Sequence, residues 1–180
     1  MKYFKKVIGD NIYLSPMNVE DAETYVKWMN DMRVTDGVNA SQRVTTIEGE
    51  KEWLQTMNKG NNYQFAIVNN DDKLIGNCSL FDIDFINGSA IVGIFIGEEQ
   101  NRSKGLGAEA LKLLIGYGFN YLNLNNIMLT VYSFNERAIN CYKKVGFKEI
   151  GKRRNCITIN NKRYDTIYMD IIKEEYYSES

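Results

Sequence analysis

The sequence predicts a single mixed α/β domain in which helices interrupt a largely antiparallel sheet. First, its 180 residues include one proline and contain no repeat or linker-like segment, as expected for one domain over 1–180. Second, hydrophobic, charged and aromatic residues make up 44%, 25% and 12% of the chain, as in an ordinary globular protein. Third, short strand-like segments and helical periodicities follow one another in the order βααβββαβαββ.

The first third of the chain is predicted to hold one strand and two helices. Residues 11–15 alternate as a strand does, and Pro16 should end it. A helix then begins after the polar and acidic residues 18–21. Its hydrophobic residues at helical spacing are Ala22, Tyr25, Val26 and Met29. The second helix covers 46–59, with Thr46 as its cap and one apolar side formed by Trp53, Leu54 and Met57.

The middle of the chain is rich in predicted strands. Segments 63–68 and 73–81 flank the polar turn 69–72, which predicts a hairpin. A second turn leads into a strand over 90–96, and a long helix follows over 105–122. The apolar stripe of that helix is Leu111, Leu114, Ile115 and Leu122.

The last third completes a sheet of about seven strands with about four flanking helices. Its predicted elements are a strand over 127–132, a helix over 135–144 and closing strands over 147–151 and 166–172. The folded core is therefore expected over about 10–172. The segment 173–180 is short and acidic, and we expect it to form a flexible tail.

Charge and hydropathy exclude several classes of protein. The net charge is −1 and the pI is near 5.6, so no broad basic surface for nucleic acid is expected. No apolar run approaches the roughly 18 residues that span a bilayer, and the N-terminal residues do not form a signal peptide pattern. We therefore expect neither a nucleic-acid partner nor a membrane partner.

The counts of cysteine and histidine limit the chemistry. Three cysteines, an odd number without metal-ligand spacing, predict a reducing compartment, the cytoplasm, and no metal site: Cys78, Cys141 and Cys156. The chain has no histidine, which excludes an imidazole base and histidine-ligated zinc. Proton transfer must therefore use a carboxylate, a tyrosine, a thiol, an amine or water.

A glycine-containing junction joins the predicted strand 90–96 to the helix 105–122. Arg102 and Lys104 add positive charge there, and Gly105 and Gly107 let a ligand approach the backbone closely. The unpaired N–H groups of a helix start favour a phosphate or pyrophosphate. The common dinucleotide pattern is not met, because position 110 is alanine, and a phosphate-loop pattern is absent. The alternative is that the glycines only form a tight turn.

A second segment, 135–147, also has two interpretations. Asn135 can cap a helix whose buried face would be Ala138, Cys141, Tyr142 and Val145. Alternatively, Asn135 hydrogen-bonds a ligand amide, and the hydroxyl of Tyr142 donates a proton to a departing thiolate. Periodicity alone does not separate these interpretations.

Together the two segments resemble the GNAT superfamily of acetyl-CoA-dependent N-acetyltransferases. The superfamily pattern [QR]-x-x-G-x-[GA] matches residues 102–107 at a strand-to-helix junction. About 28 residues later follows Asn-x-x-Ala-x-x-x-Tyr-x-x-x-Gly-Phe, which matches Asn135, Ala138, Tyr142, Gly146 and Phe147. The order of elements matches as well. Segments 77–97, 117–151 and 153–169 resemble the branch that holds ribosomal-protein N-terminal, spermidine/spermine and amino-sugar acetyltransferases.

The resemblance implies acetyl transfer to a primary amine by direct attack in a ternary complex, with acetyl-CoA as co-substrate and no metal. The pyrophosphate of coenzyme A would bind the backbone N–H groups of Arg102, Ser103, Lys104, Gly105, Leu106, Gly107 and Ala108. The pantetheine arm would lie beside Phe95, Ile96, Gly97 and Asn135. Tyr142 would protonate the coenzyme A thiolate. Relatives are often dimers or larger, which implies that a homo-oligomer is possible.

One departure from the branch leaves the general base open. Members often carry a glutamate two residues before the glycine that this chain has at position 93, and here that residue is Ile91. The base could be water or one of five carboxylates: Glu48, Glu50, Asp82, Asp84 and Glu98. The missing glutamate also keeps open a non-catalytic acyl-CoA-binding or sensing domain, and a purely structural domain is a third alternative.

The acceptor amine is open among three classes. A polyamine would need carboxylates, and the candidates are Asp31, Asp36, Asp82 and Asp84. A protein N-terminus would need an open groove, shaped by the arm 33–62. An amino sugar would need aromatic rings, which Trp28, Trp53, Tyr63 and Phe85 could supply.

Overall fold

The computed structural model describes residues 2–38, 40–57 and 61–178. Within these ranges the chain forms one eight-stranded sheet in the order β1-β2-β3-β4-β5-β6-β8-β7. The strands are β1 Val7–Ile8, β2 Ile12–Pro16, β3 Tyr63–Asn69, β4 Leu74–Asp84, β5 Ser89–Ile96, β6 Asn126–Tyr132, β7 Lys148–Ile159 and β8 Lys162–Ile172. The α-helices are α1 Ala22–Met29, α2 Met32–Thr35, α3 Ile47–Thr56, α4 Leu106–Tyr121, α5 Glu136–Val145 and α6 Lys173–Ser178. Single 3₁₀ turns lie at Val19–Asp21, Asp36–Val38 and Glu99–Asn101.

The mixed α/β class is confirmed, and each predicted strand and helix is present, although the element counts and several ends differ. The sheet has eight strands rather than seven, since β1 is only two residues long and gives no periodic signal. Helix α2, of four residues, is likewise too short to predict; the side chain of Asp31 caps it by accepting from the N–H of Arg33 at 2.9 Å. Helix α3 ends at Thr56, and the predicted continuation to 59 enters residues 58–60, outside the described ranges.

The closing hairpin is longer than predicted. Strand β7 continues to Ile159 and β8 begins at Lys162. Two shifts in the pairing register interrupt β7, and Asn155 has a positive φ of 51°. The strand is also mostly exposed and carries consecutive basic residues, so the apolar alternation that reveals a half-buried strand is missing.

The prediction of a flexible tail from residue 173 is wrong for 173–178, which form α6; residues 179–180 lie outside the described ranges. The hydroxyl of Tyr176 donates to the carbonyl of Lys112 at 3.1 Å, and its ring lies 5.5 Å from that of Phe119. Lys148 forms an ion pair with Glu175. These contacts hold the segment against α4 and β7, which its acidic composition did not reveal.

Strands β5 and β6 create an opening in the sheet. They are parallel and pair only from Ser89 to Ile91, whereas the other neighbouring pairs are antiparallel. Helix α4 is the crossover between them, and its buried residues Leu111, Leu114, Ile115 and Phe119 pack on the sheet. Beyond Ile91 the two strands separate, so the edge of β5 that faces β6 has no strand partner there.

Candidate active site

Two cavities meet where β5 and β6 separate. The junction cavity, of about 320 Å³, lies between the end of β5, residues 101–108 and α5. The sheet cleft, of about 800 Å³, lies between α1, α3, residues 37–38 and 40–46, and strands β3 to β6. Five residues line both: Gly37, Val38, Ile94, Phe95 and Tyr142. Molecules bound in the two cavities could therefore touch.

The backbone of the junction is arranged to bind an anion. Ser103 and Gly105 have positive φ of 59° and 83°, and α4 begins at the next residue, Leu106. In the described chain, the N–H groups of residues 103–108 donate to no acceptor. These donors and the start of a 16-residue helix produce positive potential beside the cavity.

The two glycines of the junction have different roles. A Cβ added at Gly105 would meet no atom within 4 Å, so the positive φ, not crowding, calls for glycine. A Cβ at Gly107 would lie at an ordinary 3.8 Å from Cγ1 of Ile96. The tight-turn interpretation therefore holds for Gly105, but it does not explain the unpaired donors.

The junction cavity is lined by cations without carboxylates. Its charged lining residues, among those that the structure describes, are Arg102, Arg137 and Lys144. Arg102 Nε and Nη2 donate to the carbonyls of Ile96 and Gly97 at 3.1 and 3.2 Å. Burial, and then the charge of Arg137, lower the pKa of Arg102. Arg102 thus ties the junction to the end of β5, and the cationic lining stands out in a chain of net charge −1.

Nine of the twelve predicted site residues line the junction cavity: Phe95, Ile96, Arg102, Ser103, Gly105, Gly107, Ala108, Asn135 and Tyr142. Three do not. Lys104 is exposed, Leu106 packs against the hydrophobic core, and Gly97 lies against Trp28.

Helix α5 supplies residues that the motif did not identify. Arg137, Asn140, Cys141 and Lys144 line the junction cavity and follow the spacing i, i+3, i+4, i+7. This largely polar stripe is the feature of the sequence from which these cavity residues could be predicted. The predicted buried stripe is confirmed only for Val145, because the cavities border the other three members, Ala138, Cys141 and Tyr142, and leave them partly exposed.

Asn135 acts as the predicted cap and also faces the cavity. Its Oδ1 accepts from the N–H of Ala138 at 3.2 Å, before the first turn of α5. The same residue lines the junction cavity, and a Cβ added at Gly37 would lie 3.2 Å from its Nδ2. The two interpretations of this residue are compatible.

Tyr142 lies at the boundary between the cavities. Its ring is 6.0 Å from that of Phe147. Its hydroxyl makes no hydrogen bond within the described ranges, and burial raises the pKa of that hydroxyl to about 12. The group is therefore a protonated and unpaired donor at neutral pH.

One of the carboxylates considered as a base lines the sheet cleft. Ile91 lies in that lining, and so does Glu50, whose side chain is 7% exposed. Burial raises the pKa of Glu50. The other four do not line the cleft: Glu48, Asp82, Asp84 and Glu98. Of these, Glu98 pairs with Lys27 at 3.2 Å, and Asp84 accepts two backbone N–H bonds of its own turn.

The other acceptor candidates are mostly engaged elsewhere. Of the four aromatic candidates, Trp53 lines the cleft, whereas Trp28 packs against Gly97, Tyr63 contacts Tyr117 and Phe85 is exposed. Asp31 pairs with Arg33, and Asp36 accepts from Ser41. The described part of the arm 33–62 does line the cleft, through residues 37–38, 40–46 and α3.

A model of the acetyltransferase (GNAT) domain matches residues 14–168. The chain belongs to the GNAT acetyltransferase family. It is an acyltransferase of the acetyl-CoA-dependent kind, and the named relatives give no support to a non-catalytic sensor. Within 2–38, 40–57 and 61–178, no helix could cross a membrane and no cluster of metal-ligating side chains is found.

The relatives of this GNAT chain include a protein of the branch that the sequence resembles. The N-acetyltransferase p20 of Bacillus licheniformis, named as uncharacterised, is 30% identical over 172 residues, 93% of this chain and 96% of that protein. The spermidine N(1)-acetyltransferase of Escherichia coli K12 is 34% identical over 113 residues, 63% of this chain and 60% of that one. A solved spermidine N-acetyltransferase of Vibrio cholerae, in complex with CoA and spermine, has the same fold. Its TM-score is 0.85 at 22% identity, over 94% of this chain and 99% of that one.

Proposed function

We propose that this enzyme transfers the acetyl group of acetyl-CoA to a primary amine in the sheet cleft, by direct attack while both substrates are bound. The observation that carries the proposal is the meeting of two cavities at Ile94, Phe95 and Tyr142. A thioester bound in the junction cavity would lie, at these residues, next to an amine bound in the sheet cleft. Such positioning removes much of the entropic barrier to a bimolecular reaction.

The junction cavity fits coenzyme A. Its unpaired N–H groups over 103–108 suit the pyrophosphate, and Arg137 and Lys144 add positive charge. The free edge of β5 beyond Ile91 offers backbone groups to the amides of the pantetheine arm. When bound, acetyl-CoA supplies an acetyl group activated as a thioester.

Tyr142 is the proposed proton donor. Its hydroxyl lies at the boundary of the cavities without a partner, so it can donate to the sulfur as the carbon–sulfur bond breaks. The proton that the nitrogen loses as the amide forms returns through water to the tyrosine oxygen, so that the step balances. Arg137, on the same helix, opposes the rise in its pKa. The aliphatic amine acceptor of the E. coli relative supports testing polyamines first.

Release of free coenzyme A thiol from acetyl-CoA tests the proposal. Wild type is assayed with spermidine, spermine, N-terminal peptides and amino sugars, beside Tyr142→Phe. Tyr121→Phe is the matched control, because Tyr121 is 77% exposed and lines neither cavity. We expect turnover on one class, lowered about 10²- to 10⁴-fold by Tyr142→Phe, with acetyl-CoA binding and the control unchanged. Undiminished turnover in Tyr142→Phe would contradict the role of this tyrosine, and absence of acetyl-CoA binding would contradict the whole proposal.

A further inference from the structure

Two buried polar side chains in the sheet cleft have no partner in the described chain. Glu50 on α3 is 7% exposed and Tyr25 on α1 is 1% exposed. The hydroxyl of Tyr25 makes no hydrogen bond. No hydrogen bond or ion pair from the described residues reaches the carboxylate of Glu50. Because buried polar groups are nearly always paired, two unpaired groups in one cavity indicate a ligand that pairs with them.

Glu50 has no countercharge within ion-pair distance among the described residues of the cleft. The charged residues among its described lining are Glu50 and Arg43, and Arg43 lies on the exposed stretch before α3, beyond ion-pair distance of Glu50. Burial first, and then the charge of Asp21 and of further groups that include Glu50, raise the pKa of Tyr25. A buried carboxylate without a countercharge is costly, and a cationic ligand would remove that cost.

Aromatic rings surround the same space. The ring of Tyr25 lies 6.4 Å from that of Trp53 and 6.3 Å from that of Phe95. All three residues line the cleft with Glu50. Aromatic faces attract cations, and a carboxylate among such rings favours an ammonium group over a neutral group of equal size.

We propose that Glu50, together with Tyr25, binds a positively charged amino group of the acceptor and so selects cationic amines. The assignment rests on the proposed function, since that function makes the sheet cleft the acceptor site. Glu50 accepts hydrogen bonds from the ammonium, and the rings of Tyr25 and Trp53 contact its surface. The acceptor is accordingly an amine that carries positive charge when it binds.

Two probe molecules of equal shape, one cationic and one neutral, separate the effect of ligand charge from the effect of ligand shape. Choline carries a quaternary ammonium that cannot be acetylated, and 3,3-dimethyl-1-butanol replaces its nitrogen with carbon. Dissociation constants of both are measured by NMR titration in the presence of coenzyme A. The proteins are wild type, Glu50→Gln, Tyr25→Phe and the control Glu52→Gln, whose side chain is exposed on the same helix and outside the cleft.

We expect wild type and Glu52→Gln to bind choline about tenfold more tightly than the neutral probe, because the Glu50 carboxylate attracts the cationic head, which has no N–H to donate. Glu50→Gln should lose most of this preference and keep only the part that the aromatic rings provide. Tyr25→Phe should keep the preference with several-fold weaker affinity for both probes. An unchanged preference in Glu50→Gln, or no preference in wild type, would overturn the proposal. Glu50→Asp, which keeps the charge, should restore the preference in part.

Two other causes of a lost probe preference, unfolding of the variant and failure of the proposed function, are detected separately. Coenzyme A binding, which uses the junction cavity, reports whether Glu50→Gln is folded. Choline binding does not require turnover, so it tests the recognition site even where no acetyl transfer is found. Conversely, turnover that is lost in Tyr142→Phe supports the transferase chemistry whichever way the probes bind.

Discussion

Trp28 packs directly against Gly97, so that a Cβ added at Gly97 would lie 2.1 Å from Cε2 of the indole ring. The same indole ring is 5.8 Å from the ring of Phe95, a residue that lines both cavities. The carbonyl of Gly97 accepts from Nη2 of Arg102. Helix α1 therefore fixes the end of β5 from which the junction starts.

Gly97→Ala should lower the free energy of unfolding by about 1–3 kcal/mol, the usual cost of an overpacked site. The indole ring has to move, because the atoms that the new methyl group meets belong to a rigid side chain. Urea denaturation measures the change. Gly107→Ala is the control, since its Cβ would make an ordinary contact at 3.8 Å. Equal stability of the two variants would contradict the packing argument.

Gly105→Ala should weaken acetyl-CoA binding and cost about 1–2 kcal/mol of stability, because alanine disfavours the φ of 83° found there. Gly105→Asn should retain more of both, since asparagine tolerates this conformation better. Calorimetric titration with acetyl-CoA and urea denaturation provide the two measurements. The control is Gly151→Ala. An added Cβ also meets no atom within 4 Å at this position, and φ there lies outside the left-handed range. If alanine at 105 behaved like alanine at 151, the left-handed geometry would not matter.

The sequence was informative wherever a signal was local. The junction over 102–107 and the cap at Asn135 depend on neighbouring residues, and both were predicted at the right positions. The short strand β1 and helix α6 were missed because tertiary contacts hold them, such as the packing of Tyr176 on Phe119. The local periodicity of a sequence gives no information about such tertiary contacts.

The distinction among candidate carboxylates needed the three-dimensional arrangement. Sequence placed Glu48 and Glu50 on one helix, but the packing of α3 on α1 decides that only the second lines the cleft. Lys104 is exposed and does not line the junction cavity, so its expected contribution of charge to anion binding stays a prediction. Arg137 and Lys144 provide cavity charge from a helix that lies 30 or more residues later in the chain.

Arg137→Gln and Lys144→Gln should each weaken acetyl-CoA binding by about three- to tenfold at low salt, the effect of losing one partly exposed charge interaction with an anion. The affinity of each variant should also fall less steeply with added salt than that of wild type. Titration at two salt concentrations measures both effects. Lys104→Gln serves as the control, because Lys104 carries the same charge but does not line the cavity. A larger loss in Lys104→Gln than in the other two would reverse the assignment of the binding charges.

Glu50→Gln should become more stable relative to wild type as the pH rises. Burial raises the pKa of folded Glu50 above its ordinary value of 4.5, so the folded protein holds this proton more tightly than the unfolded chain. The contribution of Glu50 to stability is therefore complete below about pH 4.5 and is lost as pH rises through the raised folded pKa. Glutamine does not titrate and needs no countercharge.

The difference in urea midpoint between Glu50→Gln and wild type, measured from pH 4 to pH 8 without ligand, checks this expectation. It should grow with pH and then level off above the folded pKa, because all other titrating groups are common to both proteins and cancel. Glu52→Gln, an exposed change on the same helix, should show a nearly flat difference. A wild type that gains stability over Glu50→Gln as pH rises would mean that the carboxylate has a cationic partner in the folded protein. In the absence of such a partner, choline should stabilise wild type and leave Glu50→Gln nearly unchanged, which connects the cost of the unpaired carboxylate to the binding of the acceptor.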